Sequence, residues 1–139
     1  MVQHRSGIPN YTDHPGYWEN LPKSREETLE LALDLPANFE PDEDYGYSNT
    51  NYLLIGELID KVVGYSRHQY IKEEILIPLE LNNTFSSLSE VNIDEVMSGY
   101  HVGHPYDLKT DEQGMLASAE DVGIFLRALN DGSLFDEGE

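Results

Sequence analysis

The stretch YGYSNTNYLLIGELIDKVVG, residues 45–64, decides how this 139-residue chain is organised. Apolar residues recur in it at three and four: Tyr52, Ile55, Leu58, Ile59 and Val62, with Gly64 two residues on. That spacing predicts an amphipathic helix stopped by a left-handed glycine. Its entrance is less ordinary, because Tyr47, Ser48, Asn49 and Asn51 crowd polar side chains into one turn. Two readings compete. In the first, Ser48 or Asn49 caps the helix and Tyr47 packs at its mouth. In the second, the cluster is an active site.

Working outward, Ser24 with Glu27 reads as a capping box opening a short helix through Leu29, Leu31, Leu33 and Leu35, closed by Pro36. Ser66 with Gln69 reads the same way, for a helix carrying Tyr70, Ile71, Ile75 and Leu76 up to Pro78. Ser118 with Asp121 announces a last helix through Val122, Phe125, Leu126 and Leu129, ended by Gly132. Residues 1–23 are broken by Gly7, Pro9, Pro15, Gly16 and Pro22 but hold Tyr11, Tyr17 and Trp18. An ordered aromatic loop fits that mixture better than a linker. Residues 79–117 are mixed, with a short helix expected at 93–97 and extended segments around Tyr100 and Tyr106. The chain reads as mostly α, a single unit over residues 1–139.

Charge and composition exclude several functions. The chain has 27 acidic residues against 8 basic ones, a net charge of −19. Nucleic acid and anionic membrane surfaces both need Lys/Arg patches, so neither is an expected partner. No cysteine is present, so neither disulfides nor thiolate metal sites can form. No apolar run reaches membrane-spanning length, and Met1-Val2-Gln3-His4-Arg5 lacks the apolar core of a signal peptide. The compartment is not legible.

Four segments, in order, carry a family resemblance: HRSGIPNY (4–11), YSNTNYLLIGELIDKVVGYS (47–66), ILIPLELNNT (75–84) and GMLASAEDVGIFLRAL (114–129). Together they resemble the serine β-lactamase-like superfamily, which includes class C β-lactamases, D-alanyl-D-alanine carboxypeptidases and related esterases. The resemblance implies an α/β domain with an inserted helical domain. It also implies acyl transfer through three motifs: Ser-x-x-Lys, Tyr-x-Asn and Lys/His-Thr-Gly. Tyr47-Ser48-Asn49 stands in the Tyr-x-Asn place. The resemblance makes Tyr47 a proton-transfer group and Asn49 an amide that holds the substrate, while the His4 position is structural.

The departures are as informative. None of the serines has lysine three residues on: Ser6 leads to Pro9, Ser24 to Glu27, Ser48 to Asn51 and Ser66 to Gln69. KTD at 109–111 imitates the third motif with aspartate for glycine, and it precedes the last helix instead of following it. The expectation is therefore the helical domain of the β-lactamase-like fold with short extended segments, the α/β sheet largely missing. A free tyrosine titrates near ~10 and is a poor base unless cations lie beside it. The family would supply two lysines, whereas the neighbours here are Asp42, Glu43 and Asp44, of the wrong sign.

The expected function is thus part of a hydrolase of β-lactam, D-Ala peptide or ester, inactive alone. Its partner in the complete protein is a small-molecule or peptide acyl substrate. The alternative is a non-catalytic helical module whose exposed apolar face self-associates or binds a partner. No cofactor is implied. His101 and His104 sit in a loop broken by Gly103 and Pro105, without a marked third ligand, so no metal site is expected there. The acidic run 40–44 lacks the spaced ligands and glycine of a calcium loop and reads as solvated. His14 is a loop histidine, and Ser6-Gly7 a turn instead of a nucleophile elbow.

Overall fold

A computed structural model describes residues 1–100, 102–103 and 114–135. His101, His104, Tyr106 and the KTD segment lie outside the described residues. Contacts divide the chain into two compact units, residues 1–65 and 66–139.

In the first unit a loop with a 3₁₀ turn, Tyr11–Asp13, precedes α1, Arg25–Leu33, and α2, Asn49–Val63. The aromatics of the loop are ordered on one another: Tyr17 lies 5.6 Å from Tyr11 and meets Trp18 edge-on at 4.9 Å. Ser24 caps α1 as its sequence predicts, accepting from Glu27 N–H, while the Glu27 carboxylate reaches back to the Lys23 N–H. Arg25 ties α1 to α2, pairing with Glu57 at 2.8 Å and donating to the Leu53 carbonyl at 2.9 Å. Gly64 ends α2 at φ 81°, the left-handed conformation its position called for.

Residues 4–10 run along the segment that leads into α2. Backbone bonds from Gly46 N–H to the His4 carbonyl, from Asp42 N–H to Arg5 and from Asn38 N–H to Gly7 zip the two together. Gly7 is obligatory in this seam: its φ is +70°, and a Cβ there would overlap the Phe39 carbonyl oxygen.

In the second unit, α3 covers only Arg67–Ile71 and widens into a π-helical turn, Lys72–Leu76, closed by Ile77 N–H on the Lys72 carbonyl. Sequence period alone predicts one α-helix here. Pro78 lacks an N–H and crowds the carbonyl four residues back, and the widened turn lies just before it. Ser66 accepts from His68 N–H, and Gln69 bonds Glu73 instead of closing a box. A capping box does form where none was read, between Ser87 and Glu90, on the 3₁₀ turn Leu88–Glu90. The helix expected at 93–97 is a single 3₁₀ turn, Ile93–Glu95.

Two short strands, β1 (Thr84–Phe85) and β2 (Leu116–Ala117), pair antiparallel with Thr84 opposite Ala117. The last helix, α4 (Ala119–Asp131), starts at the Ser118 cap and ends at Gly132, φ 81°. Asp121 in its first turn is buried and fastens the sheet to the helix. Its Oδ2 accepts from Asn83 N–H at 2.9 Å and from the Thr84 hydroxyl at 2.8 Å.

The apolar stripes of the helices are mostly outside. Among the described residues the buried apolar side chains are Ala32, Leu76, Leu81 and Ala128, whereas Leu58, Ile59, Val62, Val122 and Leu126 are exposed. Amphipathic spacing located α2 and α4, but among the described residues much of their apolar faces stays exposed.

Asp121 links stability to pH. Burial disfavours its charge, yet hydrogen bonds from Thr84, Asn83 and Ser118 outweigh that and hold its carboxyl below the usual range. A depressed folded-state value means the contribution is complete above the ordinary carboxylate value of ~4 and fades as pH falls below it. We expect Asp121→Asn to lower the urea midpoint at neutral pH and the gap from wild type to narrow as pH falls below the ordinary carboxylate value. A gap unchanged across that range would contradict the assignment.

Candidate active site at the entrance of α2

Ser48 occupies the N-cap position with extended backbone, as the helix-entry reading predicts, but its side chain does not cap α2. The hydroxyl turns back and donates to the Pro9 carbonyl at 3.0 Å. The helix is capped from outside, by Asn10, whose Oδ1 accepts from Asn49 N–H at 3.1 Å. Thr50 completes the link: its hydroxyl donates to the Pro9 carbonyl at 2.7 Å and accepts from Tyr11 N–H at 3.2 Å.

Beneath this entrance lies a buried polar cluster. Ser48, Thr50 and Asn51 are the largest fully buried side chains, an inversion of the usual apolar interior. Asn51 accepts from the Ser6 hydroxyl at 2.7 Å, and its amide nitrogen lies 3.4 Å from His4 Nδ1. Ser48 N–H donates to the same Nδ1 at 3.2 Å. An accepting Nδ1 carries a lone pair, so the ring proton sits on Nε2, which faces the Tyr52 hydroxyl at 3.3 Å. Ser6 is thereby a structural hydroxyl, as its turn context suggests.

The two residues singled out from the sequence are together. The Tyr47 hydroxyl donates to Asn49 Oδ1 at 3.1 Å. Tyr47 is about half exposed (52%), so its phenol opens outward instead of filling the core. Its ring lies on the His4 imidazole, centroids 4.4 Å apart and planes tilted 33°. Tyr45 and Tyr52 meet the same imidazole edge-on at 6.2 and 5.1 Å. Of the acidic neighbours, Asp42 is engaged by Arg5 at 2.6 Å. Chemically the arrangement offers an outward phenol, an amide beside it and a rigid base. The nucleophile and the cations that would make the phenol a base are not among these residues.

Sequence reading gave His4 as a structural position only through the family resemblance, Ser6 as a turn residue and Asn51 as one of the polar cluster; it missed Asn10 and the bonds that tie all four to the entrance of α2. Nothing local marks them, because their partners lie some forty positions away. Only the resemblance of segment 4–11 drew attention to that loop.

The chain as a whole has counterparts among known proteins. The Beta-lactamase family model matches residues 1–139, and the chain belongs to that family. It is 30% identical over 120 residues to penicillin-binding protein 4* of Bacillus subtilis (strain 168), covering 80% of this chain and 25% of that protein. The D-amino acid amidase of Ochrobactrum anthropi SV3 superimposes with a TM-score of 0.78 at 25% identity, over 98% of this chain and 43% of that one. An octameric penicillin-binding protein homologue from Pyrococcus abyssi gives a TM-score of 0.69 at 28% identity, over 94% and 34%. The chain therefore spans a quarter of the curated relative's length and less than half of each solved one.

The buried cluster should dominate the stability of this unit. Asn51→Leu keeps the branched shape of the side chain but strips the Ser6 hydroxyl of its acceptor inside the protein. Loss of buried hydrogen bonds of this kind costs roughly 2–4 kcal/mol. Val62→Ser on the exposed face should stay within about 0.5 kcal/mol. Urea unfolding of both variants checks the contrast, and equal effects would refute it.

Proposed function

We propose that this chain is the Tyr-x-Asn portion of a β-lactamase-like serine hydrolase that acts on a β-lactam, a D-Ala peptide or an ester. Tyr47 is the acid/base and Asn49 the substrate-orienting amide. The observation that carries this reading is the outward Tyr47 phenol held on Asn49 Oδ1, in a chain belonging to this family. A tyrosine meant only to plug the helix mouth would bury its ring and leave Asn49 to cap the helix.

The complete reaction is attack of a serine on the acyl carbonyl, expulsion of the leaving group, and hydrolysis of the acyl-enzyme by water. These 139 residues contain no Ser-x-x-Lys, so the serine and lysine are proposed to belong to the complete protein. A phenol titrating near ~10 needs that lysine to act as a base at neutral pH. The chain by itself should be inert. Incubation with nitrocefin and a p-nitrophenyl ester should give no turnover above buffer. Turnover abolished by Tyr47→Phe would overturn the claim of inactivity alone.

A second reading is favoured by a separate observation. In the second unit an apolar groove of about 460 Å³ is lined by Ile71, Ile75, Met115, Val122, Phe125 and Leu126. With α2 also exposing Leu58, Ile59 and Val62, this supports a helical module that associates through its apolar faces. An octameric relative gives the idea precedent. Sedimentation velocity across a hundredfold concentration range should show mass rising with concentration. A monomer at every concentration would sink this reading.

A further inference from the structure

The geometry points to His4 as the positioning residue for Tyr47: it sets the phenol's direction by stacking beneath it while both of its own ring nitrogens are anchored. This deepens the proposed role of Tyr47 and rests on it for its catalytic meaning, but not for its geometry. Four observations converge on it. His4 is buried, 6% exposed, although it lies near the chain start in a loop. Its backbone adopts φ +54°, an uncommon conformation for a residue other than glycine, which surrounding structure must maintain. Nδ1 is held by Ser48 N–H, the backbone directly after Tyr47, and Nε2 faces Tyr52 one turn into α2. Those two bonds fix the ring plane, and Tyr47 lies against that plane at 4.4 Å.

The His4 carbonyl adds a third restraint by accepting from Gly46 N–H at 3.0 Å, so the backbone before Tyr47 is held as well as the backbone after it. A purely space-filling side chain would need neither nitrogen. The arrangement instead uses both, and does so with the residue whose ring then supports the phenol. Among the described residues the Tyr47 hydroxyl has one tethering hydrogen bond, to Asn49, at an exposed site where water competes. The imidazole face is therefore the feature that keeps one rotamer of Tyr47 and aims its hydroxyl at Asn49.

The test uses the full chain and nuclear magnetic resonance. In wild type, long-range ¹⁵N–¹H correlations should show His4 as the Nε2–H tautomer, and three-bond couplings should report one χ1 rotamer for Tyr47. In His4→Asn, the amide oxygen can still accept from Ser48 N–H, and asparagine tolerates the left-handed backbone. That variant should keep its dispersed amide spectrum while Tyr47 averages over rotamers and the Asn49 side-chain amide signals shift. Tyr52→Phe keeps His4 but removes one anchor, and it should give partial averaging of Tyr47. If His4→Asn fails to fold, the Tyr52→Phe result decides. A protonated Nδ1 in the wild type, or a single Tyr47 rotamer in every folded variant, would overturn the proposal. The readout is a torsion angle, so a lack of hydrolytic turnover, which bears on the proposed function, leaves it intact.

Discussion

The hydrogen bond from Ser48 N–H to His4 Nδ1 is the constraint on which the first unit turns. It joins the loop of residues 4–10 to the N-cap residue of the main helix. It also dictates the imidazole tautomer, and with it the use of Nε2 toward Tyr52. Once the ring is fixed, three tyrosines have a common surface, and Asn51 has a second polar neighbour besides Ser6. Without that bond a helix N–H would be orphaned in a buried place, at a cost of about 1–3 kcal/mol. The entrance of α2 is thus an assembly of two distant segments, neither of which has a reason to hold its shape alone.

How much of this the sequence discloses depends on the range of the interaction. Capping is local, and Ser24 and Ser118 do at their helix starts what their spacing predicts. Gly64 and Gly132 adopt the left-handed conformation for the same local reason. Ser48 fails as a side-chain cap because a nonlocal partner outcompetes the local one: the Pro9 carbonyl takes its hydroxyl and Asn10 takes over the helix N–H. The π turn before Pro78 escapes notice because helical periodicity continues through it unchanged. The Tyr47–Asn49 pair was legible through two residues of a motif, and His4 as a structural position through the resemblance, whereas the bonds joining His4, Ser6 and Asn51 were not, since nothing in a loop announces what packs forty residues later.

Burial in this chain is inverted in an informative way. Ser48, Thr50 and Asn51 are inside, and every polar atom named in that cluster has a partner, which is the condition for such a cluster to be tolerated. The apolar stripe of α2, by contrast, faces out at Leu58, Ile59 and Val62. A stripe at helical spacing evolves to meet another surface, because exposed apolar side chains bring no stability where they stand. The net charge of −19 adds self-repulsion to a thin interior.

The chemistry follows the same division between what is positioned and what is activated. Position comes from packing and hydrogen bonds, and the chain supplies these: the imidazole face beneath Tyr47, the Asn49 amide beside it, the outside cap on the helix. Activation of a phenol comes from charge. Lowering its proton affinity toward neutrality requires a cation within a few ångströms, because a shift of one unit corresponds to ~1.4 kcal/mol of differential interaction and several units are needed. Arg5, the cation next to His4 in the sequence, is already committed to Asp42. Placement and activation are thus separate requirements: the Tyr47–Asn49 pair meets the first through packing and a hydrogen bond, and the second depends on charge that position alone does not supply.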